Sequence, residues 1–211
     1  MAQYFSIHPD NPQTRLIRQA AQILHAGGVI AYPTDSCYAL GCHIGDKAAM
    51  ERIRTIRGID ARHHFALLCR DVAEAAIYAR IDNTQFQLLR AATAGGYAFI
   101  LQATREVPRR LLHERRKTIG VRIPAHRVVQ ALLAELGEPL LSSSLILPGD
   151  TQSLSDTDEI RTRLEHAVDL VIDAGPCGAV PSTIVDLTGE TPLITREGVG
   201  RADLLGVPIG A

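Results

Sequence analysis

Short hydroxyl side chains and arginines recur in this sequence at the ends of apolar, strand-like runs. They are Thr34 after the run at 29–32, Thr118 at the start of 118–123, Ser142 and Ser144 where 139–143 ends, Ser182 at the start of 182–187, and Arg196 after 192–195. Ligands of open α/β proteins gather at strand ends. Hydroxyl and guanidinium groups hydrogen-bond to phosphates and carboxylates. The pattern indicates that any phosphate site in this chain is built from side chains on strand-end loops.

Two arginines stand out by their surroundings. Arg122 falls inside the apolar run TIGVRIP at 118–124, where an unpaired charge is costly, so it needs an acidic partner or an anionic ligand. Arg57 ends an apolar-faced helical pattern and precedes Gly58. The usual fate of such a residue is a solvated surface charge, and a ligand contact is the alternative.

The better-known signatures of nucleotide and hydrolase sites are absent from the sequence. It contains no G-x-x-x-x-G-K-[ST], no G-x-G-x-x-G between a strand and a helix, and no G-x-S-x-G. Its four cysteines form no C-x-x-C pair, so we expect reduced thiols. Cys37, Cys42 and His43 lack a second ligand pair at zinc spacing, and we expect no protein-held metal.

Length and composition favour one globular domain. The chain has 211 residues, of which 46% are hydrophobic and 21% charged, enough to bury one core, which we expect at about 10–205 within a single domain at 1–211. No apolar run reaches the roughly 20 residues of a bilayer span, and the N-terminus lacks the features of a secretory signal. The sequence therefore predicts a cytoplasmic protein.

Apolar periodicity predicts alternating helices and strands. A helix is expected to begin at Asn11-Pro12 and to end before Gly27-Gly28. Further helices are predicted at 46–57, 84–92, 126–136 and 156–166, the last with Asp156 and Glu159 as a capping pair, and strands at 29–32, 65–69, 97–102, 118–123, 139–143, 168–172, 182–187 and 192–195. This alternation is typical of an α/β domain around a central sheet.

Eight sequence blocks resemble the YrdC/YciO family, and its YciO branch most. They are AYPTDS at 31–36, YALGC at 38–42, AMERIRTIR at 49–57, EVPRRLL at 106–112, RKTIGVRIP at 116–124, PLLSSSL at 139–145, PSTIVDLT at 181–188 and ITREGVG at 194–200. The resemblance implies a single-domain α/β fold, in which a twisted mixed sheet and flanking helices surround a large, positively lined cavity. Longer members carry an extra C-terminal domain, which we do not expect in this chain of 211 residues.

The same resemblance implies an activity and its ligands. YrdC-type members are L-threonylcarbamoyladenylate synthases, nucleotidyltransferases that use threonine, bicarbonate and ATP, release pyrophosphate and supply the t6A modification of tRNA. Mg²⁺ is expected with the ATP, held by substrate and water. By resemblance, the threonine pocket corresponds to Thr34, Thr118, Arg122 and Ser182, and the nucleotide site to Arg57, Ser142, Ser144 and Arg196. No residue is assigned a catalytic role, because adenylation needs no covalent nucleophile.

Two departures from the family pattern predict a weak or divergent enzyme. YrdC-type members show K-x-R where this chain has Arg57 and Ile59, and S-x-N where it has Ser144 and Ile146. Losing two polar contacts predicts an efficiency lower by roughly 10²-fold or more, at about 1.5–3 kcal/mol for a charge-assisted contact. His63 and His64 lie near enough in sequence to compensate in part, although we interpret them as loop residues.

Two other functions stay open at this point. Double-stranded RNA binding is also attributed to the family, and the basic stretch with Arg109, Arg110, Arg115, Arg116 and Lys117 is suited to RNA or tRNA phosphates. A solvated, partly ion-paired surface is an equally good interpretation of that stretch. The remaining alternative is a protein that binds nucleotides without efficient catalysis.

Overall fold

One mixed sheet runs through the computed structural model, which describes residues 1–60, 63–92, 96–113 and 115–208. Its ten strands within those residues are β1 (Gln3–Ser6), β2 (Ile30–Tyr32), β3 (Ala39–His43), β4 (Ala66–Leu68), β5 (Tyr97–Gln102), β6 (Thr118–Arg122), β7 (Leu140–Ser144), β8 (Leu170–Asp173), β9 (Thr183–Asp186) and β10 (Leu193–Arg196). Their order across the sheet is β1-β8-β2-β3-β7-β4-β6-β5-β9-β10. The sheet contains both parallel pairs, such as β4 with β6, and antiparallel pairs, such as β4 with β7.

Helices cover both faces of this sheet. They are α1 (Thr14–His25), α2 (Lys47–Arg57), α3 (Val72–Tyr78), α4 (Asn83–Ala91), α5 (Arg127–Leu136), α6 (Thr157–Leu164) and α7 (Ala202–Leu205), with a 3₁₀ turn at Arg109–Leu111. Among the described residues, no helix has both the length and the apolar character needed to cross a membrane.

Neighbouring residues of the central strands enter different cores. Leu68 and Leu140 pack with α1 and α5 on one face. Leu67 and Leu141 pack on the other face, with residues of α2, α3, α4 and α6. Successive side chains of a strand point to opposite faces, so a sheet covered on both faces needs apolar residues at consecutive positions. The structure confirms the predicted α/β class and the mixed sheet.

The prediction for the start of α1 is wrong by about two residues. The helix begins at Thr14, with Gln13 as N-cap, and not at Asn11-Pro12. His8 Nδ1 accepts the backbone N–H groups of Asp10 and Asn11 at 3.1 Å, and Gln13 Oε1 accepts the N–H of His8. These hydrogen bonds keep the segment in a turn, so the helix starts after it.

Sequence analysis missed β1, β3, α3 and α7. In β3 the reason is Gly41, whose type disfavours a strand in a sequence pattern. The structure needs a glycine there, because a Cβ would lie 2.7 Å from Tyr32 Cε1 and 3.0 Å from Leu140 Cδ2. Side chains of the neighbouring strands β2 and β7 therefore fill the space over Gly41, where the sequence pattern of a strand would have an apolar side chain.

The predicted cap of α6 is present in part. Asp156 Oδ1 accepts the backbone N–H of Glu159 at 2.8 Å. The Glu159 carboxylate instead accepts a hydrogen bond from Arg163 Nη1 at 3.1 Å. A reciprocal capping box occurs in α4, between Asp82 and Gln85, which the sequence analysis did not identify.

Candidate functional site

A cavity of about 360 Å³ lies against the sheet between α2 and β10. Seven of the eight residues assigned above by resemblance line it: Arg57, Thr118, Arg122, Ser142, Ser144, Ser182 and Arg196. Its other lining includes Arg116, three histidines and the apolar side chains of Phe65, Phe99 and Ile119. No carboxylate among the described residues lines the cavity. Its volume falls within the roughly 300–1,000 Å³ of small-molecule sites.

Arg122 ends β6 and forms a buried ion pair at the floor of the cavity. Its side chain is 8% exposed, and Nη2 donates to Asp35 Oδ1 at 2.7 Å. The sequence required an acidic partner or an anionic ligand for this arginine, and the partner within the chain is Asp35. Arg122 Nε and Asp35 Oδ2 are buried without a hydrogen-bond partner in the described residues. The pair therefore retains unused hydrogen-bonding capacity.

Thr34 is the one assigned residue that does not line the cavity. Its hydroxyl donates to the carbonyl of Cys37 at 2.7 Å and accepts the backbone N–H groups of Ser36 and Cys37. Arg122 Nη2 also approaches Thr34 Oγ1 at 3.3 Å. A hydroxyl has one proton to donate. In this structure Thr34 closes the turn after β2 and supports Arg122, and its hydroxyl proton is already used.

Arg57 is held at the end of α2 by groups from β7 and the following loop. Gly58 ends the helix in the left-handed conformation, with a φ of 61°. Arg57 Nη1 donates to Ser143 Oγ at 2.5 Å and faces His63 Nε2 at 2.9 Å, and Nε donates to the carbonyl of Ile146 at 3.3 Å. Burial and the charge of Arg196 lower the pKa of Arg57. The guanidinium is thus partly desolvated without a carboxylate partner in these contacts.

Arg196 reaches the same cavity from the last strand of the sheet. Its Nη2 donates to the carbonyl of Ser182 at 2.7 Å. Burial lowers the pKa of Arg196, and the charge of Arg122 acts in the same direction. Arg57 and Arg196 thus line the same cavity, each with only neutral groups as hydrogen-bond partners in these contacts, an arrangement that an anion stabilises.

The segment after β10 packs tightly against the segment before β9. Thr183 Oγ1 donates to the carbonyl of Gly200 at 2.6 Å and accepts the N–H of Gly198 at 2.9 Å. A Cβ at Gly198 would lie 2.2 Å from the carbonyl oxygen of Pro181. Only glycine allows this approach, which fixes Ser182 beside Arg196.

β7 provides three serines of the site. Ser142, Ser143 and Ser144 are consecutive, and Ser142 Oγ lies 2.5 Å from the hydroxyl of buried Tyr32. Burial raises the pKa of Tyr32 above its usual value, so the phenol is neutral and shares a hydrogen bond with Ser142. Ser142 is therefore tied to β2, whereas Ser143 is tied to Arg57.

The two departures from the family pattern differ in position. Ile146 lines the cavity and its carbonyl accepts from Arg57. Ile59 packs against the main core instead. An amide at position 146 would face the cavity, whereas a cation at 59 would need a different direction for that side chain.

The basic stretch after β5 is partly engaged with the protein. Arg110 Nη2 donates to the carbonyls of Ile44 and Gly45, and Arg116 forms an ion pair with Asp186 at 3.0 Å. Arg109, Arg115 and Lys117 are exposed. Of the five basic residues predicted to contact RNA, Arg116 is ion-paired and Arg110 is hydrogen-bonded to backbone carbonyls.

One histidine–carboxylate group in the described residues, His25, His43 and Glu138, places three possible metal-ligand atoms within 4.8 Å of one another. Glu138 Oε1 lies 2.5 Å from His43 Nε2 and 3.8 Å from His25 Nδ1. However, His43 Nδ1 accepts the N–H of Gly45 at 2.9 Å, so the proton of neutral His43 is on Nε2 and points at the carboxylate. Cys42 is not in this group, and burial raises its pKa to about 12.

Residues 22–198 match the model of the Sua5/YciO/YrdC family, whose description is "Telomere recombination". The chain belongs to this family. YciO of Escherichia coli K12 is 57% identical over 200 residues, 95% of this chain and 97% of YciO. The crystal structure of E. coli YciO has a TM-score of 0.93 to this chain, at 56% identity, and the match covers 97% of this chain and 100% of that one.

Members of the Sua5/YciO/YrdC family with a named activity are more distant. The threonylcarbamoyl-AMP synthase of Chromobacterium violaceum is 33% identical over 180 residues, 85% of this chain and 92% of that protein. P. abyssi Sua5, in a crystal structure with L-threonine, has a TM-score of 0.82 at 24% identity, over 92% of this chain and 57% of that one. The similarity to P. abyssi Sua5 shows that the two chains share a fold. The family resemblance predicted from the eight blocks is confirmed.

Sequence reasoning for this family member missed Asp35, Ser143 and Thr183, and interpreted His63 as a loop residue. Asp35 and Ser143 lie within blocks that were already singled out, AYPTDS and PLLSSSL. Arg122 in an apolar run was a signal for a nearby carboxylate. Nothing in the sequence pattern pointed to the contact of Thr183 with Gly198 and Gly200.

Proposed function

We infer that this chain is a divergent ATP-dependent synthase of L-threonylcarbamoyladenylate, which uses threonine, bicarbonate and ATP and releases pyrophosphate. The observation that carries this conclusion is the meeting of Arg57, Arg122 and Arg196 in one cavity that no carboxylate of the described residues lines. Such a site fits a polyanion. The named synthase of C. violaceum, with 33% identity over 85% of the chain, supports the reaction type.

The proposed nucleotide end of the cavity contains Arg57, Arg196, Ser142 and Ser144. The two arginines face the triphosphate and neutralise charge as pyrophosphate leaves. The free amine of threonine and bicarbonate form the carbamate with loss of water. A carboxylate oxygen of this carbamate then attacks the α-phosphorus, while the bond from that phosphorus to pyrophosphate breaks. Positioning and charge supply the rate, so no covalent intermediate with the protein is needed.

The proposed amino-acid end contains Thr118, Ser182 and the Arg122–Asp35 pair. Threonine carries a carboxylate and a hydroxyl, which complement a guanidinium and short hydroxyls respectively. Thr34 supports this end by holding Arg122 and the turn, since its own proton is bonded to Cys37. The L-threonine complex of P. abyssi Sua5 is the comparison that supports this ligand.

Mg²⁺ belongs to the substrate in this proposal. The cavity lining in the described residues offers hydroxyl, guanidinium and imidazole groups but no carboxylate. Carboxylate and carbonyl oxygens are the groups that hold Mg²⁺ in proteins, so these residues do not form a protein cage for it. The ion would arrive with ATP, bound by phosphate oxygens and water.

The test is pyrophosphate release that depends on both threonine and bicarbonate, with detection of threonylcarbamoyl-AMP by mass spectrometry. Arg196→Ala should lower the rate about 10- to 100-fold, as expected for one charge-assisted contact of about 1.5–3 kcal/mol. Arg15→Ala, an exposed arginine on α1, is the matched control and should leave the rate unchanged. Release at background in the wild type, with no change in Arg196→Ala, contradicts the proposal.

A gain-of-function variant tests the divergence. Ile146→Asn places an amide in the cavity and should raise the rate alone, because Ile146 lines the cavity. Adding Arg57→Lys and Ile59→Arg restores the full family pattern, although Ile59 packs on the core and its replacement will also cost stability. A rate that none of these variants raises means that the lost contacts do not limit the reaction.

Duplex RNA binding is the second candidate function. The exposed Arg109, Arg115 and Lys117 lie near the cavity rim formed by His113 and Arg116, which favours an RNA backbone at this surface. Binding of duplex RNA should weaken steeply with salt, and charge-neutralising variants of these three residues should reduce the slope. No shift of duplex RNA at low salt excludes this candidate.

A further inference from the structure

His63 lies beside Arg57 in the cavity that Arg196 also lines. It follows α2, lines the cavity, and faces Arg57 Nη1 at 2.9 Å and Ser143 Oγ at 3.3 Å through Nε2. Its ring also packs edge-on against Phe65, with centroids 6.0 Å apart. The imidazole is therefore held in place at the proposed phosphate end.

The hydrogen bond to Arg57 fixes the protonation state of free His63. A guanidinium has only donors, so Nε2 must be the acceptor and His63 must be neutral, with its proton on Nδ1. The charged groups around it are Arg57 and Arg54 on α2 and Arg196 on β10, with His64 on its own loop and Ser143 as the neutral contact from β7. Burial and these positive neighbours, Arg57 first, lower the pKa of His63 to about 4.

An anion between Arg57 and Arg196 reverses this balance. A phosphate oxygen accepts a hydrogen bond from Arg57 in place of His63 Nε2, and its negative charge favours an imidazolium beside it. Protonated His63 then donates from Nε2 to the same anion, so the cavity gains one further positive charge only when the ligand is present.

We propose that His63 takes up a proton when a pyrophosphate or triphosphate group binds between Arg57 and Arg196, and that it then binds the phosphate as an imidazolium. This inference rests on the proposed function, because it places the phosphate chain at that end of the cavity. It assigns to His63 a role in selecting polyanions, since a more negative ligand favours the imidazolium more strongly. The chain thus supplies a cation on binding in addition to its fixed arginines.

Binding of inorganic pyrophosphate measured by calorimetry tests the proposal. Titrations in buffers of different ionisation enthalpy give the number of protons taken up, and the affinity is followed from pH 5.5 to 8. At pH 6 the wild type should bind as much as about one additional proton per pyrophosphate, compared with His63→Gln. As the pH falls, the affinity of the wild type for pyrophosphate should rise more steeply than that of His63→Gln, by as much as about tenfold per pH unit. The reason is that His63 stays neutral in the free protein down to about pH 4.

Three variants make the result specific. Glutamine keeps an acceptor for Arg57, so His63→Gln removes titration without removing that contact. His63→Lys carries a permanent charge and should bind pyrophosphate without the extra proton. His166→Gln makes the same substitution at an exposed histidine outside the cavity lining and should behave as the wild type.

The outcomes separate the two proposals. Equal proton counts and pH slopes in the wild type and His63→Gln, with pyrophosphate still bound, overturn the role of His63 and leave the proposed function standing. Loss of the proton uptake in His64→Gln instead of His63→Gln also overturns it, because it assigns the proton to the neighbouring ring. Absence of pyrophosphate binding in the wild type overturns this inference together with the proposed phosphate site.

Discussion

Removal of the Asp35 carboxylate should destabilise the protein through the charge that it leaves behind. Arg122 and Asp35 have side chains 8% and 14% exposed, and their contact is 2.7 Å. Breaking a buried ion pair by deleting one partner costs about 3–5 kcal/mol, because the remaining charge stays desolvated. Arg122 keeps a 3.3 Å contact with Thr34 Oγ1, so we expect Asp35→Ala to fall near the lower end of that range.

Urea unfolding measures this cost. A loss of about 3 kcal/mol corresponds to a melting temperature lower by roughly 6–12 °C for a chain of this size. Asp35→Asn should lose less, since its amide oxygen still accepts from Arg122. The double variant Asp35→Asn/Arg122→Met should be more stable than Asp35→Ala, because it removes both charges and leaves no unpaired buried charge.

The matched control is Asp10→Ala on the surface. Asp10 pairs with Arg127 at 3.9 Å, and these side chains are 72% and 68% exposed. An exposed pair contributes about 0–1 kcal/mol, so this variant should unfold close to the wild type. If Asp35→Ala also unfolds within 1 kcal/mol of the wild type, Arg122 does not depend on Asp35 and the description of the cavity floor is wrong.

Three further predictions follow from the same contacts. Gly198→Ala should destabilise the fold and weaken pyrophosphate binding in unfolding and binding assays, because its Cβ would lie 2.2 Å from the Pro181 carbonyl oxygen and must displace the segment that carries Arg196. The control Gly189→Ala, whose Cβ has its nearest contact at 3.7 Å, should change neither stability nor binding. The pKa of His63 in the folded protein is about 4, below its unfolded value, so His63 lowers the free energy of unfolding as the pH falls from about 6.5 toward 4. In urea unfolding at pH 5, the wild type should have lost about 1–2 kcal/mol more of this free energy than His63→Gln, and equal losses contradict the prediction. Burial raises the pKa of Cys42 to about 12 and also raises that of Cys69, so both thiols should resist iodoacetamide at pH 8 until urea unfolds the chain. Peptide mass spectrometry measures the labelling, and rapid labelling of either cysteine in the native protein contradicts their burial.

Sequence patterns predicted the elements that have one clear apolar face or run. The helix ending before Gly27-Gly28, the cap at Asp156 and strands such as β5 and β6 follow from periodicity and capping chemistry. β3 could not be predicted in the same way, because Gly41 is explained by the Tyr32 ring and Leu140, which come from other strands. Tertiary packing determined this element, and local preference did not.

The site was predictable as a set of residue types and not as a network of contacts. An arginine inside the TIGVRIP run implied a partner, but the distance in sequence from Asp35 to Arg122 hid which carboxylate it was. The turn role of Thr34 and the contact of His63 with Arg57 depend on hydrogen-bond geometry. The carried-over family roles stay predictions until the binding and rate measurements are made.

The attachment of β9 and β10 has a consequence for how the chain folds. These strands join the sheet through the parallel pairing of β9 with β5, where Tyr97 lies opposite Thr183, and the pairing closes a long loop of chain. Contacts so distant in sequence form slowly, because loop-closure entropy is lost before they contribute. Arg196 and Ser182 therefore come together with Arg57 and Arg122 only after this long-range pairing has formed. A ligand bound between them links the two parts of the chain, so amide hydrogen exchange in β9 and β10 should slow more than in β2 and β3 when it binds.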